Sequence, residues 1–191
     1  MDTFPLFEPE SAPVKPSPPA VVAFDLSLTA SGIAYRDGTT TTVKTRSADG
    51  DRRLLQIAEA ARIAVGGEHL GLGPAPDLVV LEDIPQNSFA AKPISMVHGV
   101  VRSVLLEAGV PYALVTAATL KVYATGKGNG DKTAMVMAAY KRAAREFPDD
   151  NQCDAWWLWV AGLDRLGASP VELPKAQRDR LDKVKWPEVG R

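Results

Sequence analysis

A carboxylate placed at the end of an apolar run constrains this chain more than any other feature. Val21–Tyr35 reads VVAFDLSLTASGIAY: Val21–Phe24 is apolar and β-rich, Asp25 ends it, and Ile33–Tyr35 resumes the apolar pattern. Such a run bounded by turn residues predicts a strand. Ser31-Gly32 predicts a turn back into a hairpin. Asp25 then falls late in a central strand, where an ionised carboxylate is costly to bury without a partner or a cation. An Asp that only starts a turn is the alternative.

A second run, Asp77–Leu81 (DLVVL), also meets acid, at Glu82 and Asp83. Around these two, strands are expected over Ala20–Phe24, Gly32–Tyr35, Thr40–Thr45 and Tyr112–Val115, with Asp37-Gly38 turning the second hairpin. Leu54, Leu55, Ile57, Ala58, Ala61 and Val65 recur at helical spacing and predict a helix over Asp49–Val65. Further helices are expected over Pro93–Ala108, Thr116–Tyr123, from an Asp131 cap to about Phe147, and over Asn151–Leu166. Residues 1–19, with six prolines, read as a flexible tail. Residues 20–167 read as the folded domain, and 168–191 as a charged extension with a short helix at Pro174–Val184.

Composition sets limits. A chain of 191 residues, 46% hydrophobic and 24% charged, suits one soluble domain with a real core. No run approaches the roughly 18 apolar residues of a membrane span. The acidic, Pro-bearing MDTFPLFEPE does not read as a signal peptide. One cysteine excludes a disulfide framework and fits a reducing compartment, so a cytoplasmic location is expected. A net charge of -1 makes any case for nucleic acid a local one.

Three antiparallel strands followed by helix, strand, helix, strand and more helices predict an α/β fold: a mixed sheet, part antiparallel meander and part parallel, flanked by helices. That is the order of the ribonuclease-H-like fold. Four motifs add a more specific resemblance. Asp25-Leu-Ser-Leu-Thr-Ala-Ser-Gly32, Leu81-Glu82, Thr119-Leu-Lys121 with Gly126-Lys-Gly-Asn-Gly-Asp-Lys132, and Asn151-Gln-Cys-Asp154-Ala155 resemble, in order and spacing, the motifs of RuvC-type Holliday junction resolvases. The looser form resembles viral and phage-borne versions of that family.

The resemblance implies a homodimer that binds a four-way DNA junction and nicks two opposed strands with a divalent metal. It implies catalytic and metal-binding roles for Asp25, Glu82 and Asp154, and a place beside the scissile phosphate for Lys132. The chemistry agrees. Phosphodiester hydrolysis needs an activated water and charge stabilisation at the leaving oxygen. Mg²⁺ prefers hard oxygen donors, Mn²⁺ is expected to substitute, and two ions about 4 Å apart suit in-line displacement. One position departs: where bacterial resolvases carry a second acid one turn before Asp154, this chain has Asn151. Its amide can offer an oxygen or orient water, and Asp150, also on the Asp154 face, can restore the charge as a ligand. Simple helix capping by Asp149 and Asp150 is the alternative.

Positive charge for DNA is concentrated between Thr116 and Phe147, where Lys121, Lys127, Lys132, Lys141, Arg142 and Arg145 face only Asp131 and Glu146. Lys121, Lys127 and Lys132 are the expected DNA contacts. For Lys141, Arg142 and Arg145 a solvated helix face is equally open. The Gly-rich loop can bring backbone amides to a phosphate and lacks the Walker-A pattern of an ATP site. Phe89, in the loop after the second acidic strand, is a candidate for stacking on an opened base, worth roughly 1–3 kcal/mol; a core or dimer contact is the alternative. Trp156, Trp157 and Trp159 read as core, with Trp157 also able to wall the site. Cys153 reads as a small buried hydrophobe, His69 as a loop residue and His98 as structural. Met96, Val97, Val100, Val101, Val104 and Leu105 form the expected dimer face. Two other functions stay open. One is an actin-like or sugar-kinase-like ATPase domain, with Ser27, Thr29 and Ser31 facing phosphates, although this chain is short for the second domain such proteins need. The other is a junction-binding protein with catalysis weakened by Asn151.

Overall fold

The structure is a computed structural model that describes residues 17–66, 74–85, 89 and 91–190. His69, most of the expected tail and much of the loop after Glu82 lie outside the described residues. The strands are β1 (Val21–Asp25), β2 (Ala30–Ala34), β3 (Thr40–Lys44), β4 (Leu78–Glu82) and β5 (Tyr112–Val115). The helices are α1 (Arg52–Val65), α2 (Ala91–Glu107), α3 (Ala117–Thr125), α4 (Lys132–Ala143), α5 (Asp150–Arg165) and α6 (Lys175–Arg178). Among the described residues, no helix is long and apolar enough to cross a membrane.

The sheet runs in the order β3-β2-β1-β4-β5. β1 pairs antiparallel with β2 and β2 with β3, whereas β1/β4 and β4/β5 are parallel. This is the expected mixed sheet. Strand alternation sorts its side chains into two layers. Val21, Ala23, Ala34, Leu78, Val80 and Val115 face α3, α4 and α5. Val22, Phe24, Ile33, Val79 and Leu81 face α1 and α2.

Helix α5 is the centre of the first layer. It is buried from Gln152 to Asp164 except at Asp154, with Trp156, Trp157, Leu158, Trp159 and Val160 all inside. A helix that is apolar on all sides must be covered on all sides. The sheet covers one side, and the C-terminal segment covers much of the rest through Val171, Leu173, Leu181, Val184 and Trp186. Gly162 lets α5 approach the sheet, because a Cβ there would stand 2.7 Å from Val21 and 2.8 Å from Val80.

Several elements differ from the expected ones. Ser31 and Gly32 belong to β2, and the turn lies before them. The Ser31 hydroxyl donates to the Ser27 carbonyl at 2.6 Å and accepts the Ser27 amide at 3.0 Å, so it holds the turn closed. Helix α1 starts at Arg52, after a 3-10 turn over Ser47–Asp49. Helix α4 stops at Ala143, not near Phe147: Ala144 takes a left-handed conformation (φ 49°) and its amide closes on the Tyr140 carbonyl. The Arg145 guanidinium then reaches the Gly38 carbonyl at 2.6 Å and lies over Phe147. The α2 face expected to meet a second copy is largely internal. Val97, Val101, Val104 and Leu105 are buried against the sheet and α1, while Met96 stays exposed. A sheet with apolar residues on both faces needs helices on both, and α2 meets that need first.

Candidate active site

The strand period places the two strand acids. Asp25 continues the Val21/Ala23 side of β1, and Glu82 continues the Leu78/Val80 side of β4, so both carboxylates face α5. Parallel pairing of Phe24 with Leu81 sets them side by side at the same end of the sheet. Asp83 turns away, its carboxylate accepting the Ile84 amide at 2.8 Å.

The third acid comes from α5. Its start is fixed by Asp149, which accepts the Gln152 amide at 3.0 Å as N-cap and the Thr42 hydroxyl of β3 at 2.7 Å. The cap reading of Asp149 is therefore the one the structure adopts. Asp150 instead forms an ion pair with Lys132, the first residue of α4. The backbone of Asn151 lies directly on Gly32, where any Cβ would overlap its carbonyl. Gly32 pairs with Asp25 across the hairpin, so this contact seats the first turn of α5 over the Asp25 end of β1. Asp154 follows one turn later.

The three acids feel one another. Burial, then Glu82, then Asp154 and Asp150, raise the Asp25 carboxyl well above its ordinary value, against a smaller opposing pull from Lys132. Burial and Asp154 raise Glu82 to about 7, opposed by Lys121. Burial and Asp150 raise Asp154 to about 6, opposed by Lys132 and Lys121. Asp25, Glu82, Asp154, Asp150, Lys121 and Lys132 thus share one electrostatic neighbourhood. Desolvated carboxylates that raise one another's pKa and are short of positive charge suit a hard divalent cation. Among the described residues, no three carboxylate, imidazole or thiol groups stand close enough together to hold one ion. The fit is one of donor chemistry, charge and common placement at one sheet end.

The other expected residues fall further out. Phe89 is fully exposed. Lys127 and Lys141 line a groove of about 420 Å³ with Met137 and Arg142, beside the Gly-rich loop. In that loop the amides of Gly126, Lys127 and Gly130 bond internally, to Val122, Thr125 and Lys127, so they are not free to cradle a phosphate. Arg142 binds the Glu172 carbonyl at 2.8 Å. With Arg145 also held, these two are structural. Trp157 packs on Tyr123 and Trp156, and its indole donates to the Met135 carbonyl at 3.2 Å, which makes it core. Burial pushes the Cys153 thiol up to about 12, as suits an inert hydrophobe. His98 is buried and burial lowers its imidazole pKa; neither nitrogen completes a hydrogen bond, although the Glu82 backbone lies beside it. Ser27 and Thr29 bond to each other, and Ser31 to the Ser27 backbone. The hydroxyls that an ATPase would aim at phosphates therefore hold the turn. Gly32 is the site-building residue that local pattern did not mark as such, and for Asp149 it marked the cap but not the tie to Thr42, since both contacts join distant segments.

No protein-family model and no curated protein matches the chain. Solved structures do. The chain is similar to a Thermus thermophilus RuvC structure at 19% identity and a TM-score of 0.60, over 80% of this chain and 99% of that one. A second neighbour, T. thermophilus RuvC in complex with a Holliday junction substrate, aligns at 18% identity and a TM-score of 0.59, over 80% and 99% of the two chains. With its five-stranded mixed sheet, helices on both faces and acids at one sheet end, this chain has a RuvC-like fold.

Proposed function

We propose that this protein is a metal-dependent, structure-selective DNA endonuclease that resolves four-way junctions. The observation that carries the reading is the gathering of Asp25, Glu82 and Asp154, with Lys121 and Lys132, at one end of a RuvC-like sheet. The neighbour held with a Holliday junction substrate supports branched DNA as the ligand class.

Asp25, Glu82 and Asp154 are the oxygen donors that would hold the metal, Mg²⁺ or Mn²⁺, and they would have to close further on one another to share one ion; Asn151 would offer its amide. When bound, a divalent ion supplies Lewis-acid stabilisation and an activated water. The chain's own groups do the rest. Lys132 and Lys121 meet the non-bridging oxygens of the phosphate and offset its charge. Lys127, in the groove beside the Gly-rich loop, neutralises backbone phosphates further along the DNA, and the exposed ring of Phe89 offers a stacking surface for an unpaired base. Two opposed nicks call for two such sites, hence a homodimer.

The test is cleavage of a synthetic four-way junction compared with linear duplex, in Mg²⁺ or Mn²⁺. The expected result is paired nicking of the junction by the wild type. Asp25→Asn should abolish cutting while retaining junction binding. Junction binding by the wild type without cutting in either metal would reduce the protein to a binding module.

A further inference from the structure

The ion pair between Lys132 and Asp150 joins the first residues of α4 and α5. Both helix starts are pinned independently of it. The Asp131 side chain accepts the Ala134 amide at 2.8 Å to cap α4. Asp149 caps α5 and is gripped by Thr42. The pair lies at the surface, with the Lys132 side chain 77% and the Asp150 side chain 36% exposed. Such a pair adds little to stability. Its effect is to confine a long, flexible side chain.

We infer that Asp150 is a positioning residue for Lys132: it holds the ammonium at the edge of the Asp25–Glu82–Asp154 cluster and is not itself a ligand of the metal. This rests on the reading of the site as a nuclease centre. Asp150 sits one turn before Asp154 on the same helix face, so an ammonium anchored there reaches the cluster without occupying it. The Lys132 charge is felt at both Asp154 and Asp25. Asn151, the neighbouring position, adds no charge to the cluster. Of the two carboxylates at the α5 start, Asp149 is therefore held by Thr42 and Asp150 is engaged by a cation the chain supplies.

The experiment titrates Mn²⁺ calorimetrically into metal-free wild type, Asp154→Asn, Lys132→Gln, Asp150→Asn and the Lys132→Gln/Asp150→Asn double variant. Single-turnover cleavage of a four-way junction is measured on the same set. The double variant removes one charge of each sign, so the net field on the metal is nearly unchanged. Its Mn²⁺ affinity should stay within about threefold of wild type, while Asp154→Asn loses more than about tenfold. Each single variant of the pair should cut at least roughly tenfold more slowly, with no further loss in the double variant, as expected of two residues acting as one unit. Asp150→Glu, which keeps the carboxylate, should recover part of the rate.

A double variant that binds Mn²⁺ as weakly as Asp154→Asn would make Asp150 a ligand and overturn the inference. So would cleavage losses that multiply. A wild type that neither binds Mn²⁺ nor cuts would instead remove the nuclease reading, and this inference with it.

Discussion

Gly32 shows how one missing side chain can place an acidic one. It pairs with Asp25 in the hairpin, and the carbonyl of Asn151 fills the space where its Cβ would be. Gly32→Ala must push the first turn of α5 off the sheet and carry Asp154 away from Asp25. Overpacking of this kind costs about 1–3 kcal/mol. The variant should lose that much in urea denaturation and lose junction cleavage by a larger factor than its residual fold explains. The acids themselves carry a pH dependence. Glu82 at about 7 and Asp154 at about 6 bind protons in the folded state that the unfolded chain has already released. Metal-free stability should therefore be full below the unfolded values near 4 and fall as pH rises through about 7. Melting curves at pH 5 and pH 8 test the sign. Mn²⁺ should raise the melting temperature more at pH 8 than at pH 5, because the ion and the protons compete for the same oxygens.

At the scale of elements, α5 delivers an acid to the site while forming the core of one layer. Its N-terminus is tied to β3 by Asp149–Thr42 and by a hydrogen bond of 2.9 Å from the Thr40 hydroxyl to Gln152. Asp149→Ala removes both the cap and the tie. The expected loss is about 1–2 kcal/mol of stability, read from the denaturant midpoint. Cleavage should fall as well, since the fraying turn carries Asp150 and Asn151. Thr42→Val, which removes only the tie, should show a smaller version of both effects.

At the scale of the molecule, the C-terminal segment closes the layer that α5 opens. Asp164, its side chain only 3% exposed, accepts from the Tyr123 hydroxyl at 3.1 Å and from Arg178 Nε at 3.0 Å. Gln177 reaches the Tyr123 carbonyl at 2.8 Å. These contacts bind α6 and the 3-10 turn over Asp179–Lys183 to α3 and α5. Arg178→Ala leaves a buried carboxylate with one neutral donor and should cost about 2 kcal/mol, measured by urea denaturation. Arg178→Lys should recover part of it. Removal of residues 168–191 should expose the far side of α5 and yield a chain that binds a hydrophobic dye and melts without cooperativity.

Sequence alone located the five strands to within two residues and showed that two of them meet an acid. That is why Asp25 and Glu82 were legible: an apolar run and the acid that ends it are both local features of the chain. The helix bearing Asp154 was equally legible from its length and apolar content. Tertiary structure alone decided that the first turn of α5 rests on Gly32, that Asp149 is tied to Thr42 while Asp150 holds Lys132, that Arg142 and Arg145 serve the fold and that the apolar α2 face is core. Each of these turns on contacts between segments remote in the chain. Local periodicity holds no record of which distant partner reaches a group first.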